Sequence, residues 1–437
     1  MTDFRRPENE QDFQRNFSQI KPAMNDTEAH YESSRCLFCY DAPCVNACPT
    51  GIDIPLFIRQ IHTGDKANAA KTIYNSNWFG HACGKVCPTE ILCEGACVYN
   101  HQDIKPIEIG RLQAHATSRV IANRTNLFVM AQVNGKKAAI IGAGPAGISC
   151  ACELRIHGYE VVVFEAKKRP SGLTMHGVAP YKITNEEVLD EVEYLRSQFG
   201  FTIQYEKSIV SAKDFVQIES QYDAIFLGIG LGKTNMIPVP GTDKRGCMGA
   251  TEFIEELRLN HHRVTVEGTV VVIGGGNTAM DAASESARLG ASAVFLVYRG
   301  SKDEMPAYEF EYDLAKSVGV KGVFHAKPLE ILGGENVEGV LFLEEGAEEF
   351  VIPCQTVILA TGQEKQKQLL SEISGLQFDD SGRILANENY QCSNPKYFAG
   401  GDALNGGAEV VNAAAEGKKA ARGMHEWLEK AVLSRGS

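Results

Sequence analysis

Residues 138–147 read Ala-Ala-Ile-Ile-Gly-Ala-Gly-Pro-Ala-Gly. The apolar run 138–141 predicts a buried parallel strand. Gly142-x-Gly144-x-x-Gly147 predicts a tight turn opening a helix over 149–157, and residues 160–164 predict a second strand that ends at Glu165. Each glycine has its own task. Gly142 permits the turn, Gly144 lets the backbone approach a pyrophosphate, and Gly147 (after the small Ala146) lets the helix pack on the strand. The helix N-terminus attracts phosphate charge. Glu165, about 20 residues on, is placed to take ribose hydroxyls. A glycine triplet alone says little, but strand, helix, second strand and acid in register predict a dinucleotide-binding α/β unit.

The pattern recurs downstream. Residues 269–281 read TVVVIGGGNTAMD: a strand over 269–273, the glycines Gly274, Gly275 and Gly276, then a helix over 278–289 and a strand over 293–298. Ala279 replaces the third glycine and is small enough for close helix–strand packing. The second strand ends at Arg299 instead of an acid. Two more apolar runs end in small-residue turns. Residues 357–362 (VILATG) close on Thr361-Gly362, and residues 397–402 (YFAGGD) close on Gly401-Asp402 ahead of a helix from about residue 410. An Asp at a strand end before a helix can hydrogen-bond the ribityl or phosphate region of a flavin. The expected class is therefore α/β, with two Rossmann-like dinucleotide-binding domains.

Ahead of the first strand the chain has a different character. It carries two cysteine quartets, Cys36-x2-Cys39-x4-Cys44-x3-Cys48-Pro49 and Cys83-x3-Cys87-Pro88-x4-Cys93-x3-Cys97, eight of its 13 cysteines. Soft thiolates at such spacing suit iron–sulfur ligation, although the run is looser than in bacterial ferredoxins. Zinc ribbons also use C-x2-C pairs, but they need no third and fourth cysteine so close by. The polar, charged start (MTDFRRPENEQDFQRNF) shows no apolar signal segment, so a reducing cytoplasm is expected, where structural disulfides are rare. Stretches such as 54–61 and 67–75 predict short helices. A net charge of −12 argues against nucleic acid as a partner. No apolar run approaches the roughly 20 residues of a membrane span. The expected domains are a helical cluster domain at 1–130, the first part of one dinucleotide domain at 131–245, the second dinucleotide domain at 246–361, and the remainder of the first at 362–437.

These motifs resemble the flavoproteins with two dinucleotide-binding folds, in which the first holds FAD and the second NAD(P). The double cysteine motif resembles, within them, the branch shared by the glutamate synthase small subunit and the N-terminal half of dihydropyrimidine dehydrogenase. The segments CLFCYDAPCVNACPT, ACGKVCPTEILCEGAC and IEIGRLQ are similar to the cluster domain of the latter. That resemblance implies one 4Fe-4S cluster on Cys36, Cys39, Cys44 and Cys97, and a second on Cys48, Cys87, Cys93 and Gln113. Spacing alone assigns Cys83 as the eighth ligand, so the two readings differ there. The resemblance also implies FAD contacts from Gly142, Gly144, Ala146, Gly147, Glu165, Gly172, Leu173, Lys182, Gly401 and Asp402. Where the family carries a second glycine and an arginine, this chain has Ser171 and Lys182. Nicotinamide contacts are implied for Gly275, Gly276, Asn277, Thr278, Arg299, Thr361 and Gly362.

The implied function is electron input. NAD(P)H reduces FAD, and electrons pass through two 4Fe-4S clusters to a partner FMN-barrel subunit that reduces uracil or thymine. A glutamate synthase small subunit or a related ferredoxin-linked oxidoreductase is the alternative. No general acid or base is required, so no catalytic side chain is expected. A single Arg299, followed by Gly300 and then by Asp303 and Glu304, favours NADH over NADPH, whose 2′-phosphate asks for more positive charge.

Overall fold

A computed structural model describes residues 4–344, 346 and 348–433. The chain forms two compact units and crosses between them several times. The first holds Lys21–Met175, Ile183–Leu231 and the chain from Lys365 onward; the second holds the chain up to Ile20, His176–Lys182 and Gly232–Glu364. Among the described residues no helix is long and apolar enough to cross a membrane.

The first unit is built on a parallel sheet. Its strands lie in the order Tyr397–Ala399, Ala224–Leu227, Lys137–Ile141, Glu160–Phe164, Thr202–Gln204. The run from Ala138 to Ile140 is fully buried, as a strand covered on both faces must be. Chain order reverses beside Lys137–Ile141, and a crevice opens at the carboxyl end of a strand at such a reversal. The helix Pro145–Ile156 leaves that end and packs against the long helix Val410–Leu433. The approach is close: a Cβ on Gly417 would lie 2.0 Å from the Ala146 carbonyl oxygen.

The same unit contains the cysteine segment, built from the helices Asp26–Ser34, Ile54–His62, Lys66–Ser76, Gly80–Val86 and Ile109–Ala122. Its small core gathers Phe57, Ile58, Ile61, Ile73 and Leu112. Gly80–Val86 and Ile109–Ala122 cross at two glycines: a Cβ on Gly84 would lie 2.8 Å from the Gly110 carbonyl oxygen. The segment is docked on the sheet-bearing part of the unit through buried acids. Glu191 accepts the amides of His81 (2.6 Å) and Ala82 (2.9 Å) and the Tyr74 hydroxyl (3.2 Å). Glu153 accepts Trp78 Nε1–H at 3.0 Å and Arg422 Nε–H at 2.8 Å.

The second unit has a parallel sheet in the order Cys247–Gly249, Thr356–Leu359, Thr269–Ile273, Ala293–Val297, Val320–Val323. An antiparallel sheet of Ala326–Leu332, Gly339–Glu344 and Glu349–Pro353 accompanies it; the sequence pattern does not predict it. Residues 4–20 also pack in this unit. Phe13, on the helix Glu10–Asn16, and Phe17 are buried with Phe253, Leu257 and Val318. Asn16 donates to the carbonyls of Arg5 and Arg288 at 2.8 Å each.

Candidate cofactor sites

Three glycines of the first loop do different work. A Cβ on Gly142 (φ +101°) would lie 2.4 Å from the Gly228 carbonyl oxygen, and one on Gly147 would lie 1.9 Å from that of Gly142. Both serve internal packing. A Cβ on Gly144 would meet nothing nearer than Gly172 Cα at 3.8 Å. Gly144 also caps Pro145–Ile156 with no side-chain hydrogen bond, so no capping side chain serves the first amides of that helix. Gly172 lies against Gly144 with φ +49°. Ser171 beside it has φ +80° and donates its amide to the Ala143 carbonyl at 2.7 Å, while its buried hydroxyl oxygen has no hydrogen-bond partner. Leu173 follows, partly exposed.

Glu165 is buried at the tip of Glu160–Phe164. One of its oxygens accepts the Ala143 amide at 2.8 Å and the other the Lys167 amide at 2.8 Å, and each keeps a second lone pair. At the next strand end the Gly401 amide donates to Glu416 Oε2 at 2.6 Å. Asp402 opens the short helix Asp402–Asn405 and accepts the Ala408 amide at 3.2 Å; burial pushes its carboxyl above the usual range. The open cradle at Gly144, the uncapped helix start and the orphaned Ser171 hydroxyl fit a pyrophosphate-bearing nucleotide such as FAD.

Lys182 belongs to the other unit. Its ammonium lies 2.8 Å from Asp281 Oδ1 and 2.7 Å from Glu311 Oε1. Burial pulls its pKa down, but the two carboxylates outweigh this and hold it above the usual lysine value. A buried ammonium needs such partners. Its charge is thus committed inside its own unit.

In the second loop a Cβ on Gly274 (φ +152°) would lie 2.3 Å from the Ala360 carbonyl oxygen, and one on Gly275 would run into the Tyr298 ring at 2.5 Å. Gly276 is the open position, with nothing within 4 Å of such a Cβ, and it caps Asn277–Arg288 without a side-chain bond. It thus matches Gly144 of the first loop. Asn277 accepts the Tyr308 amide at 3.0 Å through Oδ1, and Thr278 is exposed in the first turn. Thr361 Oγ1 donates to the Asn235 carbonyl at 2.5 Å, and the Gly362 carbonyl accepts the Asn235 amide at 2.8 Å, so this turn is tied down. Arg299 is exposed just past Ala293–Val297. Lys302 lies 3.7 Å from Glu309, and Glu304 accepts the Ser301 amide at 2.8 Å, which holds its carboxyl below the usual range.

The eight N-terminal cysteines sort into two cavities that mix the quartets. One is lined by Cys36, Cys39, Cys44 and Cys97 among apolar residues including Ile54 and Ile58. The other is lined by Cys48, Cys83, Cys87, Cys93 and Gln113, with Val411 on its wall. All 13 cysteines are free. Burial among other thiols pushes Cys44 up to about 12 and raises Cys36 and Cys93 as well. Iron would reverse this, because binding releases the thiol protons. Among the described residues no three His, Cys, Asp or Glu side chains close tightly enough on one point to hold a single ion. Gln113 donates Nε2–H to the Gly80 carbonyl at 2.6 Å, leaving its amide oxygen as the free acceptor. The sequence reading names Ser171 only as a departure from the family's glycine and does not find Val411 or Glu191. For Glu191 the one signal is an acid one turn beyond Glu187 on a helix; Val411 carries none.

The pyridine nucleotide-disulphide oxidoreductase family model matches residues 136–417, and the model for dihydropyrimidine dehydrogenase domain II, 4Fe-4S cluster, matches residues 13–125. The NAD-dependent dihydropyrimidine dehydrogenase subunit PreT of Escherichia coli K12 is 32% identical over 413 residues, which cover 94% of this chain and 97% of the relative. The glutamate synthase [NADPH] small chain of the same organism is 32% identical over 450 residues, 94% of each chain. Among solved structures, Mycobacterium tuberculosis FprA in complex with NADPH shares the fold, with a TM-score of 0.57 and 19% identity over 69% of this chain and 86% of that one. The chain belongs to the pyridine nucleotide-disulphide oxidoreductase family, as an NAD(P)H-dependent flavin oxidoreductase with an N-terminal 4Fe-4S domain.

Proposed function

We propose that this chain is the electron-input subunit of a dihydropyrimidine dehydrogenase, working with an FMN-barrel partner that reduces uracil or thymine. Bound FAD would supply the conversion of a two-electron hydride from the nicotinamide into two single electrons and a released proton, and iron–sulfur clusters would supply the path for the electrons. The chain's own residues hold and order these groups. Gly144 and the start of Pro145–Ile156 take the FAD pyrophosphate, Glu165 its ribose, and Gly401-Asp402 its ribityl side. Gly276, Thr278 and the Thr361-Gly362 turn serve the nicotinamide nucleotide. Cys36, Cys39, Cys44 and Cys97 hold one cluster; Cys48, Cys87, Cys93 and the Gln113 amide oxygen hold the other.

The observation that carries this reading is the sorting of the cysteines into two separate cavities, with four donors in the first and five in the second. Their placement suggests an order. Val411, at the start of the helix behind the Gly401-Asp402 turn, lines the second cavity. The lining of the first includes the exposed Leu37, and the exposed Tyr40 follows Cys39 in the chain. The second site therefore stands beside the flavin segment and the first at the surface where a partner docks. Anaerobically purified protein should carry about eight iron atoms and as many acid-labile sulfides per chain. About four, or stoichiometric zinc, overturns the two-cubane reading.

NADH is the favoured donor. Arg299 stands alone, since Gly300 follows it, Lys302 lies beside Glu309, and Glu304 adds negative charge to the same loop. A tenfold preference for NADPH in kcat/KM, about 1.4 kcal/mol, rejects this. The alternative, a glutamate synthase small subunit, is favoured by the second relative. Isolation of the native complex decides between them: pyrimidine reduction supports the first reading and glutamine-dependent glutamate formation the second.

A further inference from the structure

The second cavity contains more donors than a cubane has corners. Cys48, Cys83, Cys87, Cys93 and Gln113 all line it. Gln113 is oriented by the Gly80 carbonyl, which belongs to the same short helix as Cys83. Cys83 is buried, at 2% exposure, one turn before Cys87, and the Cys87 amide donates to the Cys83 carbonyl at 3.1 Å. Side chains four apart on a helix share a face. Cys83 and Cys87 both line the second cavity, so the Cys83 thiol and the Cys87 sulfur share one small buried space. The tight Gly84–Gly110 crossing fixes this turn against the helix that carries Gln113.

We propose that Cys83 is a positioning residue that leaves iron to the other four donors and gives its S–H to the Cys87 sulfur, raising the reduction potential of the second cluster. The proposal rests on the reading that Gln113 supplies the last ligand. A thiol has one weak donor to give, and hydrogen bonds to ligating sulfurs are among the features that set cluster potentials. A donor stabilises the more negative, reduced state. A neutral amide ligand in place of a thiolate acts in the same direction. Both bias the cluster nearer the flavin segment toward accepting an electron.

The test is an EPR-monitored redox titration of the anaerobic holoprotein and its Cys83→Ala, Cys83→Ser and Gln113→Ala variants, with iron and sulfide assayed alongside. Cys83→Ala should keep full iron and sulfide. It should move one midpoint to lower potential, by about tenfold in the reduction equilibrium or roughly 59 mV for one electron, and leave the other in place. Cys83→Ser keeps an O–H donor and should stay near the parent value. If Cys83→Ala is fully loaded and neither midpoint moves, the tuning role is wrong while the ligand reading stands. If Cys83→Ala loses a cluster that Gln113→Ala retains, Cys83 is the ligand and the reading beneath the proposal fails. Should the alanine variant not fold, Cys83→Ser decides: a loaded cluster at the parent midpoint supports the proposal, and a lost cluster or a displaced midpoint overturns it.

Discussion

Gly144 and Gly147 belong to one motif, yet their surroundings predict opposite failures. A methyl on Gly147 meets the Gly142 carbonyl oxygen at 1.9 Å, and backbone cannot yield as a flexible side chain can. Gly147→Ala should therefore destabilise the first unit by at least the roughly 1–3 kcal/mol typical of overpacking, seen as a lowered Tm with or without FAD. A methyl on Gly144 meets nothing nearer than Gly172 Cα at 3.8 Å. Gly144→Ala should fold with an unchanged apo Tm and lose FAD on gel filtration, because the methyl fills the space that the pyrophosphate needs. An unchanged FAD content in Gly144→Ala means the cofactor lies elsewhere. The sequence motif assigns the two glycines different tasks but not the distances, because what each faces is supplied by Gly142, Gly172 and the loop geometry. Ser171 illustrates the same limit: the sequence shows a serine where the family has a glycine, but not its φ of +80° or its orphaned hydroxyl.

At the scale of elements, the helix Gly80–Val86 depends on a distant acid. Glu191 supplies the acceptor for two of its first amides. Glu191→Ala leaves buried donors without partners, a loss of about 1–3 kcal/mol, and should lower both Tm and the iron content of the second cluster; Glu191→Gln should recover part of each. A second contact is sensitive to pH. His157 stacks on His425 at 4.2 Å, where the first helix of the flavin unit meets the C-terminal one, and Tyr159 bonds His425 at 2.9 Å. Burial, and then the neighbouring His425, lower the His157 pKa. A lowered histidine pKa means the unfolded chain binds the proton first, so this stability is complete above about pH 6.5 and is lost as pH falls through the folded value. His157→Asn should flatten the fall of Tm between pH 8 and 5.5; an unchanged slope refutes the assignment. Both devices join segments far apart in sequence, which is why they are illegible there. The glycine loops are legible because strand, turn and helix follow one another directly. The sheet from Ala326 to Pro353 escapes detection because Pro328 and a buried pattern without clean alternation hide its period.

For the whole molecule, the proposed division of labour gives this chain the electron input and the relay and gives a partner subunit the pyrimidine site. Two dinucleotide folds and a cysteine segment occupy essentially all of the matched sequence. The purified holoprotein should therefore oxidise NADH with an artificial acceptor and bleach its own flavin, yet fail to reduce uracil. Appreciable uracil reduction by the chain alone contradicts the division of labour. The placement of the first cavity sharpens this into a test of where electrons leave. Tyr40 is fully exposed and Leu37 half exposed on the segment that carries Cys36 and Cys39. Exposed apolar side chains beside a redox site are the kind of surface a partner covers. Tyr40→Glu should leave flavin-level dye reduction at the parent rate, since the residue touches neither glycine loop. It should slow partner-coupled pyrimidine reduction about tenfold or more, the consequence of roughly 1.4 kcal/mol lost in docking. Equal loss of both activities would mean that the variant damages the relay itself, and loss of neither would place the exit on another face.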